Sequence, residues 1–182
     1  MEVENIEIRT AKVSDIDDIL QIENTSFAEN ICENRDVFIE RIKIFNKGFL
    51  IAQYKNEIIG YICTEIWNYN EIIKVESFTL GHSIKDSHNS NGDELYISSF
   101  AIAPKARHCG IGRMLFKYVI NNINNLIINP KSILLVVAEN WSFARKIYTN
   151  EGFKEICKIN DFFHYDKEEF FKADGIVMRK LL

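Results

Sequence analysis

The stretch Leu95-Tyr96-Ile97-Ser98-Ser99-Phe100-Ala101-Ile102-Ala103-Pro104-Lys105-Ala106-Arg107-His108-Cys109-Gly110-Ile111-Gly112-Arg113 passes from a strand pattern through a glycine-bearing turn into a helix pattern. Leu95 to Ile102 is rich in the apolar and aromatic residues that suit a strand. From Ile111 onward, Leu115, Val119 and Ile123 recur at near-helical spacing, which predicts a helix to about Leu126. Glycines between the two let a backbone approach a phosphate closely. The free N–H groups of the first helical turn, with the helix dipole behind them, would favour its charge. Two glycines can equally do no more than make a tight strand-to-helix turn. Two other phosphate motifs fail on spacing. A dinucleotide fingerprint needs a third small residue where Leu115 stands, and a Walker loop needs a Gly-Lys-Ser/Thr run that is absent.

Downstream, the unbroken apolar run Ile133 to Val137 predicts a strand buried on both faces. Asn140 is placed to cap a helix reaching about Tyr148 and closed by Gly152, and strands follow near Phe153 to Ile159 and Ile176 to Leu181. Upstream, Glu7 to Arg9 reads as a short strand. Ser14 caps a helix to Phe27 with Ile16, Ile19, Ile22 and Phe27 on its apolar side, and a second helix covers Arg35 to Phe45. Phe49 to Tyr54 and Ile58 to Trp67 form a hairpin turning at Lys55-Asn56-Glu57. The polar stretch Ser83 to Asp93 reads as an exposed, mobile loop, with His82 and His88 as solvated flanking residues. This order predicts one α/β domain over residues 1–182, with its chemistry at a strand's carboxyl end near residues 96 to 113.

Composition bounds the functions open to such a domain. With 182 residues, 47% of them hydrophobic, the chain can bury one sizeable core. A formal charge of −4 argues against nucleic acid as a partner, because phosphate backbones are held by clustered Lys and Arg. Cys32, Cys63, Cys109 and Cys157 are scattered, with no C-x-x-C pair and no His at metal-ligand spacing, so neither a metal site nor a disulfide framework is expected. The N-terminus is charged from its second residue, without the apolar core of a signal peptide or a membrane span, which fits the cytoplasm.

Arg107-x-x-Gly110-x-Gly112 resembles the signature of the GCN5-related N-acetyltransferase (GNAT) superfamily. The likeness continues through Ala101-Ile102-Ala103-Pro104 and through Asn140 to Phe153, where Asn140, Ala144, Tyr148, Gly152 and Phe153 match the family's second element. The N-terminal half is most similar to arylalkylamine N-acetyltransferases, through Ile22-Glu23 with Phe27, Ile59 to Trp67, Glu76-Ser77 and the strand Leu95 to Ile102. Ribosomal-protein N-terminal acetyltransferases come second, through Ile176-Val177-Met178. The resemblance implies a single-domain fold with a central mixed, mostly antiparallel sheet of about seven strands flanked by about four helices. It implies acetyl-CoA as co-substrate without a metal, direct attack by a primary amine in a ternary complex, and a monomer or homodimer.

By the same resemblance, the backbone of Phe100, Ala101 and Ile102 pairs with the pantetheine arm. Arg107, His108, Cys109, Gly110, Ile111, Gly112 and Arg113 surround the pyrophosphate, and Asn140, Phe143 and Tyr148 complete the cofactor site. Tyr148 is implied to protonate the departing thiolate, which a phenol of pKa ~10 can do when well placed. Tyr96 stands where relatives carry Glu, His or Tyr in the proton relay. Ser98 stands where arylalkylamine enzymes carry a second histidine, and Leu135 where N-terminal acetyltransferases carry another base. Strand alternation puts Glu94, Tyr96 and Ser98 on one face, where they line either a water path for the amine's proton or simply the wetter side of a strand. Phe162-Phe163-His164-Tyr165 either shape the amine pocket or close the core. A silent acyl-CoA-binding module and a nucleotide-binding α/β domain are the competing functions.

Overall fold

The computed structural model describes residues 5–164 and 172–182. The chain runs β1 (Ile6–Thr10), α1 (Ile16–Ser26), α2 (Arg35–Ile44), β2 (Phe49–Tyr54), β3 (Glu57–Trp67), α3 (Ile84–Ser87), β4 (Glu94–Ile102), α4 (Ile111–Asn121), β5 (Ser132–Ala138), α5 (Ser142–Asn150), β6 (Lys154–His164) and β7 (Lys172–Leu181). The strands form one seven-stranded sheet in the order β1-β2-β3-β4-β5-β7-β6. Only the central β4–β5 pairing is parallel among these neighbours. The expected α/β class and mostly antiparallel mixed sheet are therefore observed, with α3 as a single turn beside four longer helices.

Alternation along β3 sorts the layers. Tyr61 packs edge-on against Phe38 of α2, with ring centroids 5.5 Å apart. Its neighbour Ile62 must face the other way. Ile62 is paired with Phe100, whose ring stacks 6.1 Å from Phe116 of α4. α1 and α2 thus cover one face of the central strands and α4 the other.

Several local expectations are corrected. Ser14 does not cap α1: it lies within a short 3-10 turn, and Asp15 holds this corner by accepting from the Lys12 N–H and pairing with Arg9. Asn34 caps α2 by accepting from the Val37 N–H. α4 stops at Asn121, and the remaining apolar spacing to Leu126 is carried by a 3-10 turn. The hairpin turn is tighter than read, with Lys55 and Asn56 both at positive φ and Glu57 already in β3.

The Ser83 to Asp93 stretch is not a free loop. It contains α3, whose Ile84 is fully buried, and it is tied to β3 by Ser87 on Glu65 and by the Ile66 N–H donating to His88 Nδ1. His82 is not solvated either, since it bonds Glu65 at 2.8 Å.

Candidate functional site

The parallel pairing of β4 with β5 ends at Ile97↔Leu135. Beyond it, β4 runs on to Ile102 against β3 and β5 runs on to Ala138 against β7, so the two strands part. The edge of β4 that faces this gap is free of strand partners. A bulge lies at the fork: Cys63 pairs with Ser99 and Thr64 with Ile97, leaving Ser98 without a partner. One residue inserted into a ladder shifts the alternation beyond it. Tyr96, Ile97, Ser98, Ser99 and Phe100 around this bulge all line one small pocket.

The wider cavity, about 690 Å³, lies between the free edge of β4, the start of α4 and α5. Phe100, Ala101 and Ile102 form one wall. Arg107, His108, Gly110, Ile111, Gly112 and Arg113 form the end, while Asn140, Phe143 and Tyr148 form the opposite wall. Gly110 has φ +79, and a Cβ placed on it would meet no atom within 4 Å. The first α-helical bond of α4 runs from the Met114 N–H to the Gly110 carbonyl. The N–H groups of Ile111, Gly112 and Arg113 thus lack intrahelical acceptors and point outward at a helix N-terminus. An extended edge leading to such a cradle fits an elongated ligand that ends in a pyrophosphate.

Three expectations are adjusted here. Cys109 is exposed but does not line the cavity. The Arg107 side chain is engaged within the protein, donating from Nε to the Ile102 carbonyl (3.0 Å) and from Nη2 to Ser26 Oγ (3.0 Å). Its backbone N–H is engaged by Pro104. Asn140 is not the cap of α5, because Trp141 occupies the N-cap position and makes no side-chain cap bond.

A second, smaller pocket of about 80 Å³ opens from the first. The two share Phe27, Phe100, Trp141 and Tyr148. Tyr148 is held by ring contacts to Phe116 (5.0 Å) and Phe153 (6.1 Å), and burial pushes its phenol pKa up. Phe162 and Phe163 close the far wall. Gly175 permits this, since a Cβ there would stand 2.9 Å from Phe162 Cβ. The side chain of His164 and all of Tyr165 lie outside the described residues.

Glu94 is removed from both pockets. Ser132 Oγ donates to its carboxylate at 2.6 Å and Arg179 pairs with it at 2.8 Å, at the closed end of the β4–β5 pair. The shared strand face proposed for Glu94, Tyr96 and Ser98 therefore does not become a shared water path, because Glu94 lies where the strands are still joined. Tyr96 lines the small pocket, stacked on Trp67 with centroids 4.1 Å apart, and burial raises its phenol pKa. Ser98 Oγ donates to the Cys63 carbonyl at 3.2 Å.

The acidic groups that do line the small pocket are Glu23 and Glu33. Glu23 is 1% exposed; its Oε1 accepts from the Glu33 N–H (2.8 Å) and its Oε2 from the Tyr61 hydroxyl, which also bonds Ser99 Oγ at 2.8 Å. Burial pushes the Glu23 carboxyl up to about 7, against the pull of those two donors, and the charge of Glu33 adds to the rise. A group titrating there can take a proton from an incoming ammonium near neutral pH. The sequence carried a signal for it. Glu23 follows Ile16 and Ile19 by seven and four residues, which sets a carboxylate inside the apolar stripe of α1. No comparable signal marks Glu33. Among the described residues no group of three or more His, Cys, Asp or Glu side chains is placed to hold a metal ion.

Comparisons with known proteins agree with this geometry. The family model described as Acetyltransferase (GNAT) family matches residues 15–153. An N-alpha-acetyltransferase of Sulfurisphaera tokodaii is 26% identical over 91% of this chain and 90% of its own length. Among solved structures, Naa50 of Arabidopsis thaliana in complex with the bisubstrate analogue CoA-Ac-MVNAL superposes with a TM-score of 0.71 at 16% identity, covering 97% of this chain and 98% of that one. The loading GNATL domain of CurA from Lyngbya majuscula gives 0.76 at 14% identity, covering 97% of each chain. The Sulfurisphaera relative bears the N-alpha-acetyltransferase name rather than the arylalkylamine one suggested by the N-terminal half. With a cleft shaped for an extended pyrophosphate ligand and a family model over most of its length, the chain belongs to the GNAT family and is an acetyl-CoA-dependent acetyltransferase.

Proposed function

We propose that the protein acetylates the α-amine at the N-terminus of a polypeptide. The carrying observation is the buried Glu23 carboxyl in a pocket that shares Tyr148 with the cofactor cleft. One proton acceptor and one proton donor thereby flank the place where an amine would meet a thioester. Glu23 as carboxylate takes a proton from the ammonium, and the neutral amine then attacks. Tyr148 keeps its proton throughout the neutral range because burial raises its pKa, so a loaded donor stands ready for the leaving thiolate. The backbone edge at Phe100 to Ile102 and the cradle at Gly110 to Arg113 hold the donor molecule. Tyr96 and Ser98 are walls of the acceptor pocket in this reading rather than members of a relay.

The choice of a peptide α-amine is supported by relatives named N-alpha-acetyltransferase that match nearly end to end. Leu80, 39% exposed at the pocket rim, also leaves the acceptor side open to solvent for a continuing chain. A second reading, a small arylalkyl amine, is favoured by the ring-rich lining of Phe27, Tyr96, Trp141, Phe162 and Phe163. Thiol release from acetyl-CoA decides between them, using peptides with free N-termini, N-blocked peptides containing lysine, and phenethylamine. The N-terminal reading expects the highest kcat/KM on free α-amines, and turnover confined to phenethylamine or to blocked peptides would overturn it.

A further inference from the structure

Glu23 is 1% exposed and both its oxygens are engaged, Oε1 by the Glu33 N–H at 2.8 Å and Oε2 by the Tyr61 hydroxyl. A ligand in the small pocket therefore finds little of this carboxylate to touch. Tyr61 is fully buried as well. The chain of hydrogen bonds reaches the pocket through Ser99, which is half-buried, lines the pocket and holds its Oγ 2.8 Å from the Tyr61 oxygen.

The direction of these bonds is fixed by the inventory of protons. A phenol has one proton to give and an ionised carboxylate can only accept. The Tyr61 proton therefore goes to Glu23, and Ser99 must donate to Tyr61. Both lone pairs of Ser99 Oγ are then left for a donor arriving in the pocket, and an ammonium is such a donor. No other ionisable group nearby competes for the proton. Glu33, which raises the proton affinity of Glu23, is itself paired with Arg41 at 3.0 Å, and Arg41 lowers it. Burial keeps the thiols of Cys32 and Cys63 and the phenols of Tyr96 and Tyr148 protonated.

We propose that Ser99 and Tyr61 form a two-hydroxyl relay that carries the proton of the acceptor ammonium from the small pocket to Glu23. The inference rests on Glu23 as the base, as assigned above. One N–H bond of the ammonium breaks and an O–H bond forms on Ser99. The Ser99 proton passes to Tyr61, and the Tyr61 proton passes to Oε2 of Glu23. Both hydroxyls end with one proton each, the amine is neutral, and Glu23 has gained a proton. Tyr61 gives up its proton only as it receives another, because burial beside Glu23 keeps the phenol from ionising.

Ser99→Val and Ser99→Thr test this together, since they match in shape and differ by the hydroxyl; both suit a strand, and neither leaves the gap for a water that alanine would. On whichever acceptor the wild type uses, a free-N-terminal peptide or phenethylamine, kcat/KM at pH 7 should be roughly 100-fold lower for Ser99→Val than for Ser99→Thr, as for a lost proton-transfer route. With the peptide, that gap should close as pH passes the α-amine pKa of about 8, because the acceptor then arrives neutral. Equal activity of the two variants, or a gap constant with pH, would overturn the proposal. Tyr61→Phe removes the central hydroxyl alone and gives a measure independent of Ser99. It should show a similar loss, with the acid limb of kcat/KM moved to higher pH because a donor that lowers the Glu23 pKa is gone. Wild-type activity in Tyr61→Phe would overturn the relay. Glu23→Gln, measured beside them, separates the two failures: an intact acid limb there removes the base itself, whereas a lost limb with equal Ser99 variants leaves Glu23 as a base that the amine reaches directly.

Discussion

The two ends of β4 handle buried carboxylates in opposite ways. At its start, where β4 and β5 are still paired, Glu94 is enclosed by Ser132 and Arg179. Past the fork, Glu23 is held by two donors but pushed up to about 7, and Glu33 keeps one oxygen without a partner. Both ends are buried, so burial alone does not mark a site. Position separates them: Glu23 and Glu33 line the small pocket, whereas Glu94 lines neither pocket.

The largest effect is expected where the fork receives its cofactor. Gly110→Trp should abolish the thermal shift that CoA produces, since nothing within 4 Å keeps a side chain out of the cleft and an indole would fill the cradle. Gly110→Ala bears the same strain at φ +79 without the bulk, so it should keep most of the shift. An undiminished shift in folded Gly110→Trp would move the cofactor elsewhere.

Next, Tyr148→Phe should lower kcat by roughly 10- to 1000-fold with little change in acetyl-CoA affinity, as for a proton donor used only in the transition state. A wild-type kcat would leave Tyr148 as a packing residue between Phe116 and Phe153.

The sharpest comparison sets Glu23→Gln beside Glu94→Gln. Glu23 must be ionised to accept a proton, so wild-type kcat/KM should rise with pH through about 7, and Glu23→Gln should remove that limb and most of the activity. Stability should move the other way. The folded pKa of Glu23 is raised above its unfolded value, so its contribution to stability is complete below about 4.5 and is lost as pH climbs through about 7. A permanently neutral glutamine escapes that loss, and Glu23→Gln should melt higher than wild type at pH 8. Glu94→Gln should destabilise by roughly 3–5 kcal/mol, because it strands Arg179, yet leave the pH dependence of kcat/KM intact. Paired melting curves and pH–rate profiles check both variants. If Glu94→Gln shifted the limb and Glu23→Gln did not, the assignment of the two ends would be reversed.

Periodic and glycine-bearing stretches made the fold legible in the sequence, together with most of the residues that line the wider cavity. The apolar spacing of α4, the buried run of β5 and the glycines at 110 and 112 are local facts, set by residues within a few turns of one another. The acceptor pocket was read less well. Alternation along β4 grouped Glu94 with Tyr96 and Ser98, but alternation cannot say where a neighbouring strand departs, and that fork separates Glu94 from the other two. His82 and His88 lie in a polar stretch and read as solvated until Glu65 and Ile66 of β3 were seen to engage them.

What this sequence determined by itself was the order of its longer strands and helices and the glycine-bearing turn before α4, since backbone conformation there follows from nearby residues. Only the tertiary structure decided which carboxylates line a pocket. Glu23, Glu33, Arg41, Glu65 and His82 come from separate elements. Their ionisation and partnering depend on desolvation and on contacts across the fold, and no spacing along the chain encodes either.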